Sequence, residues 1–342
     1  MERYTIQKVL APALYGDVLL CRDALTGDNV AVKRMKLSAA RNQIMLNGDR
    51  KISEDILFEK HVNQVLSADG GHEHILRMRS DFVQNGYEHF VFDFCRGGEL
   101  FDVVNAAEKL SNDASLRYFR QILSGIRYMH IRGIAHRDMS LENVLLDEFN
   151  NAKICDFGLA AAVPSLRKEG VGKAFYMAPE VVAQHSYDPI KADVWSLGIM
   201  LFIMLSGIPL VELASEADSR FRILRAKGLK KLVQMWNMTH LFEPAALDLL
   251  ELMLNPNPET RLTMEQVANH VYVRDPVEEA AAHIAAIKLD TPCSAKMLTQ
   301  AAATKSKGIA SSVMNKLRQM NRRSSTRKIL AAPTQSIAAT AV

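Results

Sequence analysis

The spacing of apolar residues changes character once along this chain, near Gly98, and that change constrains the architecture more than any other feature. Before it the chain is mostly strand-like. "YTIQKVL" and "DVLLCRD" flank a turn, "GDN" forms a second turn, and "VAVKRM" follows with β-branched alternation. One interruption, "SEDILFEKHVNQVL" (53–66), has helical spacing at Ile56, Phe58, Val62, Val65 and Leu66, with Ser53 placed to cap it. "HFVFDFC" returns to strand, and from Gly98 onward long helical patterns such as "ASLRYFRQILSGIRYMHIRG" and "AALDLLELML" dominate. The expected class is α+β: a small β-rich lobe with one helix over residues 1–94 and a larger helical lobe over 95–275.

The longest apolar run, "LGIMLFIML" (197–205), is closed by Ser206, Gly207 and Pro209. It is well short of the ~20 residues that span a bilayer, so it reads as a buried helix. "MERYTIQKVL" lacks the apolar core of a secretory leader, and Cys21, Cys95, Cys155 and Cys293 form neither a disulfide framework nor a zinc spacing. These features suit a soluble chain in a reducing compartment, cytoplasmic or also nuclear, and no membrane partner is expected. The net charge of +4 conceals an asymmetry. After Asp290 there are nine basic and no acidic residues, which leaves 33 basic against 38 acidic side chains before it. Basic character therefore belongs to the tail, which argues against nucleic-acid binding by the globular part.

Five motifs occur in order: "AVK" (31–33), "HRDMSLEN" (136–143), "DFG" (156–158), "YMAPE" (176–180) and "DVWSLG" (193–198). Over residues 4–273 the chain resembles a eukaryotic-type serine/threonine protein kinase, most similar to the calmodulin-kinase and calcium-dependent-kinase group. The resemblance implies a bilobal kinase fold that acts as a monomer. It also implies transfer of the γ-phosphate of ATP, with Mg2+, to a protein serine or threonine hydroxyl. "SLEN" lacks the Ala-Ala-Arg or Arg-Ala-Ala runs common in tyrosine kinases.

By the same resemblance Asp138 accepts or orients the substrate proton, and Asn143 and Asp156 offer hard oxygen ligands to magnesium. Lys33 holds the α- and β-phosphates while paired with a helix carboxylate, Glu59 or alternatively Glu54. Leu10, Ala11, Ala13, Gly16, Val18, Ala31 and Leu145 line the nucleotide pocket. Phe92 stands at the gatekeeper position, the backbone of Asp93 and Cys95 faces adenine, and Glu99 binds ribose or a basic group of the substrate. Glu99 and Glu142 also match acidic positions that relatives use to prefer arginine before the target hydroxyl. Glu180 and Arg261 match a buried structural ion pair, while His136 and Trp195 read as scaffold. "GHEH" (71–74) resembles a metal-binding spacing, but two histidines in a turn are more simply solvated.

Three departures from the family pattern carry information. The phosphate-covering loop, usually Gly-x-Gly-x-x-Gly, reads "APALYG" (11–16). Alanine in a left-handed conformation costs roughly 1–2 kcal/mol and Pro12 removes an N–H donor, so a stiffer loop with weaker nucleotide affinity is expected. The competing reading is a nucleotide-binding scaffold without transfer activity. The activation segment (156–180) has Ser165 but no threonine, and Glu169 stands near the usual phosphosite, within range of Arg137. Finally, the catalytic loop has Ser140 where most serine/threonine kinases have lysine, and Lys173 stands in "GKAFYMAPE" where they have threonine. By resemblance both positions flank Asp138. A lysine stem spans roughly 6 Å, so the charge could reach the phosphate from the second wall of the site; the alternative is that Lys173 points to solvent.

The tail, 276–342, is rich in Ala, Ser and basic residues and poor in large apolar ones, as disordered segments are. Within 308–321, Ile309, Val313, Leu317 and Met320 fall on one helical face, the pattern of a helix entering a groove, and "MNKLRQM" (314–320) resembles the inhibitory junction of calcium-dependent kinases. A calmodulin-like protein is the partner this suggests.

Overall fold

The computed structural model describes residues 1–38 and 55–274. Ser53, Glu54, Cys293 and the tail with its expected helix at 308–321 lie outside the described residues. The chain begins as a five-stranded antiparallel sheet of order β1-β2-β3-β5-β4. Its strands are β1 (Tyr4–Ala13), β2 (Gly16–Asp23), β3 (Asn29–Lys36), β4 (Met78–Gln84) and β5 (Tyr87–Asp93). One face buries Tyr4, Leu19, Cys21, Val30, Val32 and Val91, and the other buries Tyr15, Met35, Met78, Phe90 and Phe92.

Helix α1 (Ile56–Ser67) is capped by Asp55, whose carboxylate accepts the Leu57 and Phe58 amides. Within the described residues Asp55 thus does what the sequence assigned to Ser53. The buried face of α1 is Ile56, Glu59, Val62, Asn63 and Leu66, so Phe58 and Val65 turn out half-buried and two polar residues take their place. Ile56 packs with the sheet while Val62 and Leu66 join the main core, so α1 sits where the two lobes meet, with Glu59 between these anchors.

The second lobe is helical: α2 (Leu100–Ala107), α3 (Asn112–Ile131), α4 (Pro179–Val182), α5 (Pro189–Ser206), α6 (Ser219–Lys227), α7 (Leu229–Met235), α8 (Pro244–Met253) and α9 (Met264–Ala268). Short ribbons line its upper surface. β6 (Gly98–Glu99), β8 (Val144–Leu146) and β9 (Ala152–Ile154) form one, and β7 (Ile134–Ala135) pairs with β10 (Ala161–Ala162) in the other. The apolar run 197–205 lies in α5, which starts at Asp188 with Pro189 in its first turn and ends at Gly207 in a left-handed cap (φ 75°). The helix is apolar all round, and 89% of its 18-residue span is buried inside the fold, which makes it the core helix expected from its length.

Arg261 and Glu180 tie the start of α4 to the segment before α9. The guanidinium donates to both carboxylate oxygens at 2.6 and 2.9 Å, to the Asn255 and Lys191 carbonyls, and lies over the Trp195 ring. Both side chains are buried. Removing one partner strands a desolvated charge, so Glu180→Ala should lower unfolding free energy by about 3–5 kcal/mol, read as a shift in the urea midpoint. A loss below about 1 kcal/mol would contradict this account of the pair.

Candidate active site

Lys33 lies in the middle of β3, opposite Val18 on β2 and Phe90 on β5. Its ammonium is 2.5 Å from Glu59 Oε1 and 3.7 Å from Asp156 Oδ1. Glu59 is only 2% exposed, a burial that a carboxylate tolerates when it is paired. The strand, the helix and the segment after β9 therefore converge on one cation.

Below it, the loop between β7 and β8 is held by the aspartate of the "DVWSLG" motif. Asp193, fully buried on α5, accepts the backbone amides of His136 (2.9 Å) and Arg137 (2.8 Å), and its carboxylate is 2.8 Å from His130 Nε2. Burial pushes the Asp193 carboxyl up, but the hydrogen bonds and charge of His130 and the Arg137 amide outweigh it and hold the group below its ordinary value. The signal in the sequence was a lone carboxylate inside an otherwise apolar helix. These bonds offset the strain of Arg137, a non-glycine residue at φ 67°; Asp156, at φ 64°, is a second. His136 is buried, and burial lowers its pKa. Its Nδ1 accepts the Asp138 amide, so Nε2 carries the proton toward the Cys155 carbonyl, as fits a neutral scaffold residue. Phe157 packs edge-on against it.

Asp138, 3% exposed, accepts the Asn143 side-chain amide at Oδ2 (2.9 Å) and the Lys173 backbone amide at Oδ1 (3.1 Å). That close approach of the activation segment depends on Gly172. It has φ 101°, and a Cβ there would stand 2.9 Å from the Arg137 carbonyl. The Lys173 side chain turns inward rather than to solvent. Its Nζ is 2.6 Å from Ser140 Oγ, 3.1 Å from Asn143 Oδ1 and 3.6 Å from Asp138 Oδ2. Asp156 follows Cys155, whose amide bonds the Asn143 carbonyl at 3.0 Å, so the two candidate metal ligands sit just before β8 and just after β9. Asp156 remains 35% exposed toward the cleft.

The nucleotide side is built from the sheet. Ala31, Leu145, Phe92 and Cys95 pack in one apolar cluster with Tyr15, Met35 and Met78. Leu145 pairs with Glu99 across β6 and β8, bringing the far lobe's contribution beside the Asp93–Cys95 connection. The Asp93 side chain is taken by Arg79 (2.5 Å), and burial pushes the Cys95 thiol up to about 12. Leu10 lies on the outer half of β1, and Ala11, opposite Val18, and Ala13, opposite Gly16, pair along the hairpin to its tip.

The expectation of strain in this loop is corrected by the structure. No residue of 11–16 has positive φ: the segment is a regular hairpin closed by Leu14 and Tyr15, so its alanines carry no left-handed cost. Gly16 is required for another reason, because a Cβ would fall 1.9 Å from the Arg34 carbonyl. Tyr15, 2% exposed, pegs the tip into the sheet's inner cluster, and the bidentate Arg34–Asp17 pair clamps the same corner. Packing rather than backbone strain holds the tip.

"GHEH" is not a solvated turn. His72 Nε2 lies 3.2 Å from Ser124 Oγ, and His74, 8% exposed, bonds the Ala152 carbonyl. Burial lowers both pKa values, and among the described residues no group of three or more His, Cys, Asp or Glu side chains is arranged to hold a metal.

Comparison with known proteins places this geometry. The chain is 32% identical over 293 residues to CBL-interacting protein kinase 29 of Oryza sativa subsp. japonica, an alignment covering 84% of this chain and 62% of the relative. It is 34% identical over 285 residues to CBL-interacting serine/threonine-protein kinase 15 of Arabidopsis thaliana, covering 82% and 63%. A third relative, CBL-interacting protein kinase 11 of rice, is 31% identical over 81% of this chain and 53% of its own length. The chain thus spans between half and two thirds of these relatives. The family model for the protein kinase domain matches residues 4–273, which contain every residue of the site, and the chain belongs to that family.

Proposed function

We propose that the chain is a protein serine/threonine kinase that transfers the γ-phosphate of MgATP to a serine or threonine hydroxyl. The observation that carries this is the assembly in one cleft of Lys33, Glu59 and Asp156 above Asp138, Asn143 and Lys173. Phosphoryl transfer asks mainly for alignment and cations, and both are prepared here. Lys33, held by Glu59, binds the α- and β-phosphates. The donor chemistry at Asp156 fits magnesium: its carboxylate is a hard donor and 35% exposed, whereas the Asn143 side-chain oxygen already accepts from Lys173. When bound, magnesium neutralises phosphate charge. Asp138, fixed at both oxygens, accepts or orients the hydroxyl proton. Lys173 supplies the cation that Ser140 lacks, toward the γ-phosphate. A scaffold without transfer would need a missing group, and no feature of the site favours it.

The activation segment supports a kinase that needs no activating phosphate. Glu169 Oε2 is 3.1 Å from the Arg137 guanidinium, and Tyr187 donates to the Glu169 carbonyl at 3.0 Å. Burial raises the carboxyl pKa, but backbone amides and the charge of Arg137 outweigh this and hold it below its usual value. Glu169 is half exposed, so the pair contributes on the order of 1 kcal/mol or less. Glu169→Ala should therefore lower kcat only about two- to fivefold, and phosphatase treatment of the wild type should leave kcat unchanged. A tenfold loss on dephosphorylation would contradict this.

For substrates we infer a preference for arginine before the target hydroxyl. Glu99 begins α2 at the edge of the cleft, and Glu142 stands in the catalytic loop beside the buried Tyr176 hydroxyl. Carboxylate–guanidinium hydrogen bonds contribute roughly 1.5–3 kcal/mol, the lower end applying to half-exposed groups. Serine peptides with arginine upstream should show kcat/KM about tenfold above their alanine counterparts, and Glu99→Ala should erase much of that ratio. Equal rates would overturn it. "RRSS" in the tail offers such a sequence at Ser324 and Ser325.

For the tail we propose a helix-binding protein partner, calmodulin-like in chemistry, for the apolar face of 308–321. The basic residues around that face support the reading. So do the relatives' names, which record interaction with a protein called CBL. A monomer with two lobes at 1–94 and 95–275, located in the cytoplasm or nucleus, remains our proposal.

A further inference from the structure

In protein kinases the aspartate and asparagine that match Asp156 and Asn143 together hold two metal ions, and the asparagine oxygen serves the second. This chain treats its two ligands differently. The Asp156 carboxylate is 35% exposed toward the cleft. Asn143 is 6% exposed, and its amide orientation is fixed on both sides. Nδ2 donates to the Asp138 carbonyl at 2.6 Å and to Asp138 Oδ2 at 2.9 Å, so Oδ1 is the atom turned to Lys173. That oxygen accepts from Lys173 Nζ at 3.1 Å, and the same ammonium reaches Ser140 Oγ at 2.6 Å and Asp138 Oδ2 at 3.6 Å.

Three oxygens from three residues therefore surround one positive charge. A lysine ammonium is compact and carries three donors, which matches this set of acceptors in number and sign. It does for these oxygens what a bound cation would do, and it is tethered covalently to the activation segment. A divalent ion at Asn143 would stand within a few ångströms of that ammonium and be repelled by it. The small hydroxyl of Ser140 is part of the arrangement. The lysine usual at position 140 would compete for the volume that Lys173 enters and would place a second ammonium beside the first.

We infer that Lys173 occupies the cation position at Asn143, so that the nucleotide-loaded site takes one divalent ion, at Asp156, instead of two. This rests on the MgATP reading given above and specifies how that site is charged. It also predicts how turnover depends on metal. In the wild type, free metal beyond that needed to form MgATP should not raise kcat. In Lys173→Thr, where the Asn143 oxygen is released, added free metal should recover part of the lost rate.

The test counts ions directly. Full-length chain saturated with adenylyl imidodiphosphate is titrated with Mn2+, and bound metal is measured by electron paramagnetic resonance beside bound nucleotide. The expected result is one Mn2+ per nucleotide in the wild type and two in both Lys173→Thr and Lys173→Ala. Two ions in the wild type would overturn the inference while leaving the kinase reading intact, without reliance on any variant. One ion in the wild type and in both variants would also overturn it, since Lys173 would not then be what excludes the second. Failure of the wild type to bind nucleotide would sink the MgATP reading and this inference with it.

Discussion

Lys33→Ala and Asp156→Ala should each lower turnover by at least 10²–10³-fold, and Asp156→Ala should leave the thermal midpoint close to that of the wild type. Each group acts on charge at the transferring phosphate, where loss of one preorganised contact costs roughly 3–4 kcal/mol. Asp156 is 35% exposed and sits in a strained left-handed conformation, so its removal takes little from the core. Lys33→Ala is less innocent, because it leaves Glu59 buried without the ammonium at 2.5 Å. Lys33→Arg would keep the charge but not the point geometry, and should separate the two effects: stability retained, turnover still lost. Turnover within a factor of three of wild type in the alanine variants would refute the assignment of these groups.

The second large effect concerns Lys173. Lys173→Thr should cut kcat about 10²-fold, and Ser140→Lys added to it should restore much of the rate. The geometry explains why the pair is reciprocal. Nζ of Lys173 and Oγ of Ser140 are 2.6 Å apart beside Asp138, so a lysine rooted at either position delivers its charge to the same small volume. Ser140→Lys alone should be harmful, because it crowds two ammonium groups into one site. Steady-state kinetics on a serine peptide with arginine upstream reads all three variants. Full activity in Lys173→Thr would end the relocated-cation account.

Much of this site was legible in the sequence because kinase chemistry fixes residue types at fixed spacings. Lys33, Asp138, Asn143 and Asp156 could be placed from motif order, and Glu59, with Glu54 as the alternative, from the helix carboxylate that the resemblance requires. Even the inward turn of Lys173 was visible as a paired exchange, serine for lysine at 140 and lysine for threonine at 173. What was not legible depended on contacts between segments far apart in the chain. The strain expected of "APALYG" assumed a looping backbone, whereas pairing of Ala11 with Val18 and Ala13 with Gly16 draws the segment into a hairpin. The reason for Gly16 is a carbonyl of Arg34, eighteen residues away. The histidines of "GHEH" look solvated by composition, yet Ser124 and the Ala152 carbonyl receive them in the second lobe. Local periodicity also misjudged α1. Phe58 and Val65 pack against the core only partly buried, while the helix turns Glu59 inward to Lys33 and Asn63 inward with its side-chain amide on the Glu59 carbonyl. Helical spacing reports the dominant face of a helix. A functional carboxylate displaces that face at the cost of some apolar burial.

The central claim, that this cleft transfers phosphate to protein, is tested most directly with purified full-length chain, MgATP labelled at the γ-phosphate and a generic basic protein. Label recovered as phosphoserine and phosphothreonine should accumulate at least about 10²-fold faster with the wild type than with Asp156→Ala. Equal incorporation by the two proteins, or none by the wild type at saturating MgATP, would contradict it.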